Sequence, residues 1–207
     1  MKKICTIGLF FSLLILNLQA CNCTNKIEKT EVRESMLIAP SKAKDAGDWE
    51  FPVVVNSGEF GISDTVKLSD VIKKPEVKVV LIHYWATWGE PTNEALPYLQ
   101  EIYLSKKSEG LCPLVICIDK EKSLKNYIIN FIKNIKWKKD GKPANITYTI
   151  PWDLNSKSKD LYGIGAIPVT FLVDKNNKIR YQQSGLTMKL IEDLKVAIDE
   201  LLRETKP

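Results

Sequence analysis

The chain has 207 residues, of which 44% are hydrophobic and 27% charged, and its formal net charge is +5. This composition is typical of a globular domain with appendages, and it excludes a largely disordered chain, a collagen-like repeat and a disulfide-dense scaffold. Removal of a leader with Lys2 and Lys3 leaves 28 basic residues against 25 acidic ones, a balance of +3 that predicts no nucleic-acid partner.

The first segment, 1–20, has the layout of a secretory signal peptide. A basic start precedes an apolar run over 4–18, which is too short for a stable transmembrane helix. Cys21 directly follows Leu-Gln-Ala, and this pattern resembles a bacterial lipobox, whose cysteine becomes the lipid-bearing first residue of the mature protein. We therefore expect an extracytoplasmic protein with a lipid anchor at Cys21 in a bacterial membrane, facing the periplasm or the cell surface. The alternative is a secreted protein cut near Ala20, with Cys21 free or paired to Cys23.

The rest of the chain divides by composition into a tether and one domain. Residues 21–46 are polar, with interspersed charges and no sustained periodicity, so they are expected to form a tether. Over 47–207, short apolar runs alternate with helical patterns, which predicts an α/β domain with some parallel strands.

Within the domain, strands are predicted from apolar and β-branched runs and helices from apolar residues spaced by three and four. The predicted strands are 51–55, 77–85, 114–118, 169–173 and 179–183, the last two forming a hairpin around an Asn-rich turn. The predicted helices are 69–72, 92–107, 123–135 with Ser123 as N-cap, 157–161, and 188–202 with Thr187 as N-cap. Residues 137–145 are predicted to form a basic loop. The strand at 77–85 is apolar apart from Lys78 and His83, so it is expected to be central and covered on both faces.

The stretch Trp85-Ala86-Thr87-Trp88-Gly89-Glu90-Pro91-Thr92 joins the predicted central strand to the next helix. It resembles the active-site turn of the thioredoxin superfamily, especially the membrane-tethered TlpA/ResA type, in which a strand ends in W-A-x-W-C-x-P-C. Pro97 matches the proline that kinks the following helix, and 165–174 is similar to the family's cis-proline loop and following strand. The resemblance covers about 43–203. It implies an α/β thioredoxin fold, a central mixed β-sheet flanked by helices, with an N-terminal extension and a TlpA-type helical insertion at 123–135.

Gly89 and Thr92 stand where this resemblance implies the two active-site cysteines. Disulfide exchange needs a thiolate that attacks a disulfide sulfur and a second thiol that releases the mixed disulfide. Glycine has no side chain, and a threonine hydroxyl has no comparable redox chemistry. We therefore expect the family's reaction to be absent at this turn, and no residue is assigned a catalytic role.

Two further cysteines, Cys112 and Cys117, flank a predicted buried strand. In an extended segment they project to opposite faces with Cα atoms about 16 Å apart, beyond the ~7 Å limit for a disulfide. They are expected to be buried thiols that act as small apolar side chains. The alternatives are a reactive role, or a pairing of Cys112 with Cys23.

His83, the single histidine, lies where the resemblance implies a buried acid. Without thiols to serve, it is expected to be a neutral, hydrogen-bonded core residue. A lone histidine with scattered cysteines lacks the ligand spacing of a zinc site, so no metal and no cofactor are expected.

The binding-module hypothesis follows from the loop before the cis-proline. In active relatives this loop pairs with an extended peptide, as in strand addition, and such pairing does not need the cysteines. The expected groove residues are Trp88, Glu90, Pro91, Ile167 and Pro168, and the expected partner is an extended polypeptide or an envelope protein.

Two alternatives to a binding module stay open. The first is a thiol-disulfide oxidoreductase or thiol peroxidase that uses other cysteines or a partner's thiol. The second is a structural lipoprotein of the cell envelope. The fold alone does not decide among the three hypotheses.

Overall fold

The computed structural model describes residues 35–56, 58–90 and 92–204. The expected signal peptide at 1–20, the expected lipidation site Cys21 and the cysteine Cys23 lie outside the described residues.

Strands and helices alternate along the domain. The strands are β1 (Glu50–Val55), β2 (Thr65–Lys67), β3 (Val79–Trp85), β4 (Leu111–Cys117), β5 (Ile150–Pro151), β6 (Val169–Val173) and β7 (Ile179–Ser184). The helices are α1 (Leu68–Lys73), α2 (Thr92–Lys106), α3 (Lys125–Asn134), α4 (Lys157–Leu161) and α5 (Met188–Glu204). Each predicted helix and strand is present, and the short strands β2 and β5 are additional.

The strands form a four-stranded sheet in the order β4-β3-β6-β7 and a three-stranded sheet in the order β2-β1-β5. β3 pairs parallel with β4 and antiparallel with β6, and β6 pairs antiparallel with β7. Two isolated parallel bridges, Leu114 with Thr149 and Cys117 with Trp152, connect β4 to the chain around β5. The predicted α/β class with a central mixed sheet is therefore confirmed.

The core lies on both faces of the four-stranded sheet, because every residue of β3 and β4 is buried. Alternate residues of β3 belong to different apolar clusters, as the two-residue period of a strand requires. One cluster includes side chains of α2, α3 and α5, and the other includes side chains of β1 and α1. This burial on both faces confirms the predicted central strand, which covers 79–85 rather than 77–85.

Helix ends follow local hydrogen bonding. The Oγ1 of Thr187 accepts a hydrogen bond from the backbone N–H of Leu190 at 3.2 Å, which confirms Thr187 as the N-cap of α5. The predicted cap at Ser123 is wrong, because Ser123 belongs to a 3-10 turn over Lys122–Leu124, and α3 begins only at Lys125. The tighter turn occupies the position at which a capping residue would open the helix.

One further predicted boundary and the burial of one helix differ from expectation. β4 begins at Leu111 rather than 114, because Pro113 is accommodated within the parallel ladder opposite Leu81. The apolar stripe of α3 is only partly buried, since Ile128 and Ile132 are covered while Tyr127 is 53% exposed.

The N-terminal segment 35–46 packs on the domain, although we expected it to belong to the tether. Ile38 and Arg180 are joined by two hydrogen bonds, from the Ile38 N–H to the Arg180 carbonyl at 2.7 Å and from the Arg180 Nε to the Ile38 carbonyl at 2.6 Å. The Ala46 N–H donates to the carbonyl of Asn177 at 2.8 Å, in the turn between β6 and β7. This segment therefore runs alongside β7, the outer strand of the four-stranded sheet.

Candidate functional site

The loops that follow β3 and precede β6 leave the sheet at the same end. Tyr84, near the end of β3, pairs with Val169, the first residue of β6, in the antiparallel ladder. The turn 86–90 after β3 and the loop 165–168 before β6 therefore lie at the same end of the sheet. Trp85 pairs with Cys117 in the parallel ladder, which places the end of β4 there as well. The topology therefore brings Trp88, Gly89 and Glu90 to the same end of the sheet as Ile167 and Pro168.

The turn 86–90 is held to the end of β4 by one acidic residue. The backbone N–H of Thr87 donates to Oδ2 of Asp119 at 3.0 Å, and its hydroxyl donates to Oδ1 at 3.1 Å. Asp119 itself is buried. Next to it, the N–H of Ile118 donates to the carbonyl of Trp85 at 2.9 Å. Within the turn, the N–H of Gly89 donates to the carbonyl of Ala86 at 3.1 Å. The path of the turn is therefore fixed by its own backbone hydrogen bond and by the carboxylate of Asp119, with no cysteine involved.

The turn presents an aromatic ring and a carboxylate to solvent. Trp88 is 68% exposed, the largest exposed fraction of any large apolar side chain among the described residues. Glu90 is exposed and Gly89 half-buried. Thr92 is the first residue of α2, whereas its side chain and the whole of Pro91 lie outside what the structure describes. At Gly89, the described part of the turn has no side chain that could act as a nucleophile.

The loop 165–168 confirms the implied cis-proline, since the Ile167–Pro168 peptide bond is cis. Pro168 is buried, Ile167 is half-buried and Ala166 is exposed. The Pro168 carbonyl accepts a hydrogen bond from the Gly185 N–H at 2.8 Å. No hydrogen bond joins the backbone of Ala166 or Ile167 to another residue in the described ranges. The backbone groups just before the proline are therefore available to an external strand.

The two described cysteines are free thiols in the core. Cys112 and Cys117 belong to the two different apolar clusters, so they lie on opposite faces of the sheet, as predicted. Burial raises the pKa of both thiols well above the ordinary value. For Cys117, the charge of Asp119 raises the pKa further, and its Sγ donates to Asp119 Oδ2 at 3.0 Å. Neither thiol has the environment of a nucleophile, because reactive cysteines are partly exposed and have lowered pKa values.

His83 is buried beneath this end of the sheet. Its Nδ1 forms a 2.9 Å hydrogen bond with Oγ1 of Thr170, while Nε2 has no partner among the described residues. Burial lowers the pKa of His83 to about 3, so the imidazole is neutral at physiological pH. It lines a cavity of about 10 Å³, which is near the smallest volume that holds one water molecule.

The described side chains form no site of the kind that holds a metal. No group of three or more His, Cys, Asp or Glu residues in the described ranges is arranged around a common point. The same ranges contain no helix that combines the length and the apolarity needed to cross a bilayer.

Sequence reasoning missed Asp119, the residue that positions the turn. Its only signal is that it is the first acidic residue after the apolar strand β4, two residues after Cys117. Its hydrogen-bond partner Thr87 lies 32 residues away in the sequence, so the pair could not be identified before the parallel pairing of β3 and β4 was known.

Comparison with known proteins gives a family match over most of the domain. The model of the AhpC/TSA family matches residues 44–182. The Thiol-disulfide oxidoreductase ResA of Oceanobacillus iheyensis is 30% identical over 129 residues, which span 62% of this chain and 59% of that protein. The protein of the same name from Geobacillus thermodenitrificans is 27% identical over 143 residues, 69% of this chain and 74% of that protein.

Solved structures agree on the fold. A DsbF homologue from Corynebacterium diphtheriae superimposes with a TM-score of 0.61 at 19% identity, covering 83% of this chain and 96% of that one. The pneumococcal exposed lipoprotein thioredoxin Etrx1 from Streptococcus pneumoniae gives a TM-score of 0.53 at 22% identity, covering 76% of this chain and 99% of that one. At these identities the likeness concerns the thioredoxin-like fold alone.

Proposed function

We propose, from the premise that the chain belongs to the AhpC/TSA family, that it is a redox-inactive member that binds extended polypeptides at the cell envelope. The observation that carries this proposal is the unpaired backbone of Ala166 and Ile167, at the same end of the sheet as the exposed ring of Trp88. Main-chain pairing supplies affinity in strand addition, and tryptophan is among the side chains enriched at energetically dominant contacts.

The chemistry at hand supports binding over catalysis. Relatives of this chain carry the name thiol-disulfide oxidoreductase, but here Gly89 and Thr92 stand where the resemblance to the thioredoxin active-site turn implies the two cysteines. The described thiols, Cys112 and Cys117, are buried and have raised pKa values, which disfavours a relocated thiolate nucleophile.

The proposal includes an extracytoplasmic location, with a lipid on Cys21 as the membrane anchor. It is supported by the basic, apolar and lipobox-like order of residues 1–21. One neighbour in structure, Etrx1, is described as an exposed lipoprotein. Metabolic labelling with a radioactive fatty acid tests the anchor: incorporation is expected in the full chain and is expected to disappear in Cys21→Ala.

The test of binding uses an unfolded polypeptide without thiols, so that affinity is measured apart from redox chemistry. The probe is fluorescein-labelled insulin B chain that has been reduced and carboxamidomethylated. Its fluorescence anisotropy is expected to rise with the wild-type protein, and Trp88→Ala is expected to weaken binding by about tenfold or more. Tyr127→Ala, which removes another exposed aromatic ring, serves as the matched control and is expected to bind as the wild type does.

Two results would contradict the proposal. The first is the absence of binding by the folded wild-type protein. The second is turnover of intact insulin with dithiothreitol above the uncatalysed rate, since this would indicate a thiol-disulfide oxidoreductase that uses other cysteines.

A further inference from the structure

A lysine-rich hairpin follows α3, and we call residues 136–143 the basic hairpin. An antiparallel bridge between Lys136 and Pro143 closes it, and the N–H of Trp137 donates to the carbonyl of Lys142 at 2.8 Å. Four of its eight residues are exposed lysines and one is acidic: Lys136, Lys138, Lys139, Lys142 and Asp140. The hairpin therefore presents a net positive charge on a defined backbone.

The basic hairpin forms one wall of a groove against the start of α2. The ring of Trp137 packs edge-on against Tyr98 with centroids 5.2 Å apart. The groove has a volume of about 210 Å³, and its lining residues are Glu94, Pro97, Tyr98, Trp137, Lys138 and Lys139. Small-molecule pockets are usually about 300–1,000 Å³. This smaller, open groove has room for one side chain of a bound chain rather than for a whole cofactor.

The groove lies next to the candidate site along the chain. Glu94, Pro97 and Tyr98 belong to the first two turns of α2, which begins at Thr92, two residues after the end of the turn 86–90. A polypeptide that pairs with the backbone before Pro168 and contacts Trp88 therefore has a second contact surface within a few residues' length.

The charges in the groove are unevenly paired. Lys138 Nζ lies 2.5 Å from Oε1 of Glu94, and the pKa of Lys138 is raised by Glu94 and to a smaller extent by Glu90. The ammonium of Lys139 lies 4.2 Å from the ring centroid of Trp137. In the described ranges, Lys136 and Lys139 form no ion pair with a carboxylate. Lys136 and Lys139 therefore remain available to carboxylates of a partner beside the aromatic groove. Lys138 instead neutralises the negative charge of Glu94 and, to a smaller extent, of Glu90.

We propose that the basic hairpin selects acidic polypeptides for the candidate site. One large apolar side chain of the partner enters the groove at Tyr98 and Trp137, and flanking carboxylates meet Lys136 and Lys139. The proposal rests on the proposed peptide-binding function and adds the chemical class of its partner. A concave groove with its tryptophan half-buried fits a protruding side chain of a polypeptide better than the flat surface of an anionic bilayer.

Such exposed charges act mainly on encounter rate and specificity. The expected signature is therefore a preference for acidic peptides that weakens with salt, because exposed charges are screened within a Debye length of about 10 Å at 0.1 M ionic strength.

The experiment uses three labelled extended peptides of equal length, each with a central leucine. One carries Asp and Glu, one has Asn and Gln in their place, and one has Lys. Binding of each peptide to the full chain is measured by fluorescence anisotropy. Binding of the full chain to vesicles of phosphatidylglycerol and phosphatidylcholine is measured separately, by sedimentation. The variants are Lys136→Glu with Lys139→Glu, and a control with the same charge change at two exposed lysines elsewhere, Lys42→Glu with Lys73→Glu.

The acidic peptide is expected to bind about tenfold more tightly than the neutral one at low salt, and to lose this preference at about 0.5 M salt. The hairpin variant is expected to lose the preference while still binding the neutral peptide, and the control variant is expected to keep it. Circular dichroism checks that both variants fold, and Lys136→Gln with Lys139→Gln repeats the test without charge reversal.

Each contrary outcome points to a different failure. Equal binding of acidic and neutral peptides by the wild type overturns the acidic preference and leaves the proposed function standing. An acidic preference that persists in the hairpin variant overturns the assignment to these lysines. If the protein sediments with the vesicles in a way that depends on the hairpin, but shows no selectivity among the peptides, the partner of the hairpin is a lipid surface and not an acidic polypeptide. Binding of none of the three peptides overturns this inference and the proposed function together.

Discussion

Thr87 and Asp119 form a two-point hydrogen-bonded pair just beyond the ends of the parallel strands β3 and β4, with the N–H and the hydroxyl of Thr87 each donating to a separate oxygen of the Asp119 carboxylate. The same carboxylate accepts the Sγ–H of Cys117. The turn that carries Trp88 is thus held by a buried acid rather than by a disulfide.

Asp119→Ala is expected to destabilise the fold by about 1–3 kcal/mol, because it leaves the Thr87 N–H and hydroxyl without acceptors. The loss should be local as well as global, so hydrogen exchange of the Thr87 amide is expected to accelerate more than that of amides in β6. Urea unfolding and hydrogen exchange measure the two effects. The control is Asp64→Ala, since Asp64 is exposed, and it is expected to change stability by less than about 0.5 kcal/mol. An unchanged Thr87 exchange rate in Asp119→Ala would contradict the assigned role.

Gly89→Cys combined with Thr92→Cys is expected to create disulfide-reductase activity. The cis-proline loop is present beside the turn, and Thr92 begins α2, whose N-terminus favours a thiolate. Reduction of insulin by dithiothreitol measures the gain, with Gly89→Ser and Thr92→Ser together as the control of equal shape. A folded double-cysteine variant whose new thiols titrate but which gives no turnover would show that the rest of the site does not support the reaction.

The thiols of Cys112 and Cys117 are expected to be unreactive in the native state. Both are buried, and their pKa values are raised by burial. In the chain from Asn22 onward with Cys23→Ala, a thiol reagent at neutral pH should label neither residue before unfolding and both after denaturant is added. Rapid labelling of the native protein, removed by Cys117→Ala, would instead favour a relocated-cysteine enzyme.

His83 is expected to make the folded state less stable in acid. Its pKa is about 3 in the folded protein, against about 6.5 in an unfolded chain. Between these values the unfolded state binds a proton that the folded state does not. Above about pH 6.5, His83 therefore does not lower the free energy of unfolding. As the pH falls below this value, the free energy of unfolding decreases by up to about 1.4 kcal/mol per pH unit.

The measurement that isolates His83 is the free energy of unfolding in urea from about pH 7 to about pH 4, compared between the wild type and His83→Asn. Asparagine does not titrate and can still bond to Thr170. The wild type is expected to lose stability relative to the variant throughout this range. Parallel curves for the two proteins would be inconsistent with a buried neutral imidazole.

Arg180 is expected to contribute strongly to stability through a buried ion pair. Its Nη1 lies 3.3 Å from Oδ2 of Asp174 and 2.8 Å from Oε2 of Glu204, and the side chains of Arg180 and Asp174 are 4% and 6% exposed. Arg180→Met leaves the Asp174 charge buried without its cation, so we expect a loss of about 3–5 kcal/mol in denaturant unfolding. Lys178→Met is the comparison, because the exposed pair of Lys178 with Asp45 should be worth about 0–1 kcal/mol. Similar losses of unfolding free energy in the two variants would show that the buried ion pair does not stabilise the fold more than the exposed one.

The sequence predicts those parts of the fold whose signal is local. Strand β3 and helix α5 were predicted nearly to their ends, because an unbroken apolar run and a regular apolar spacing with Thr187 as cap each specify one structure. The two-residue strand β5 has no period to detect, and it exists only because its neighbours pair with it.

In the candidate site, too, the features with a local sequence signal could be predicted, and those that depend on contacts between distant segments could not. The turn 86–92 and the loop around Pro168 were identified by resemblance, and the cis bond is confirmed. The binding role of Trp88, Glu90, Pro91, Ile167 and Pro168 stays a prediction. The contribution of Asp119, and the groove that the basic hairpin forms with α2, depend on contacts between segments far apart in sequence. No local pattern predicts such contacts.

The segment 35–46 has a consequence for association between copies of the chain. It lies along β7, the outer strand of the sheet, where backbone N–H and C=O groups would otherwise face solvent. A chain cut at residue 47, the domain boundary that composition suggests, would open this edge, and an open edge invites strands from other molecules to add to it. We therefore expect the segment predicted as part of a tether to protect this edge of the sheet from pairing with other molecules.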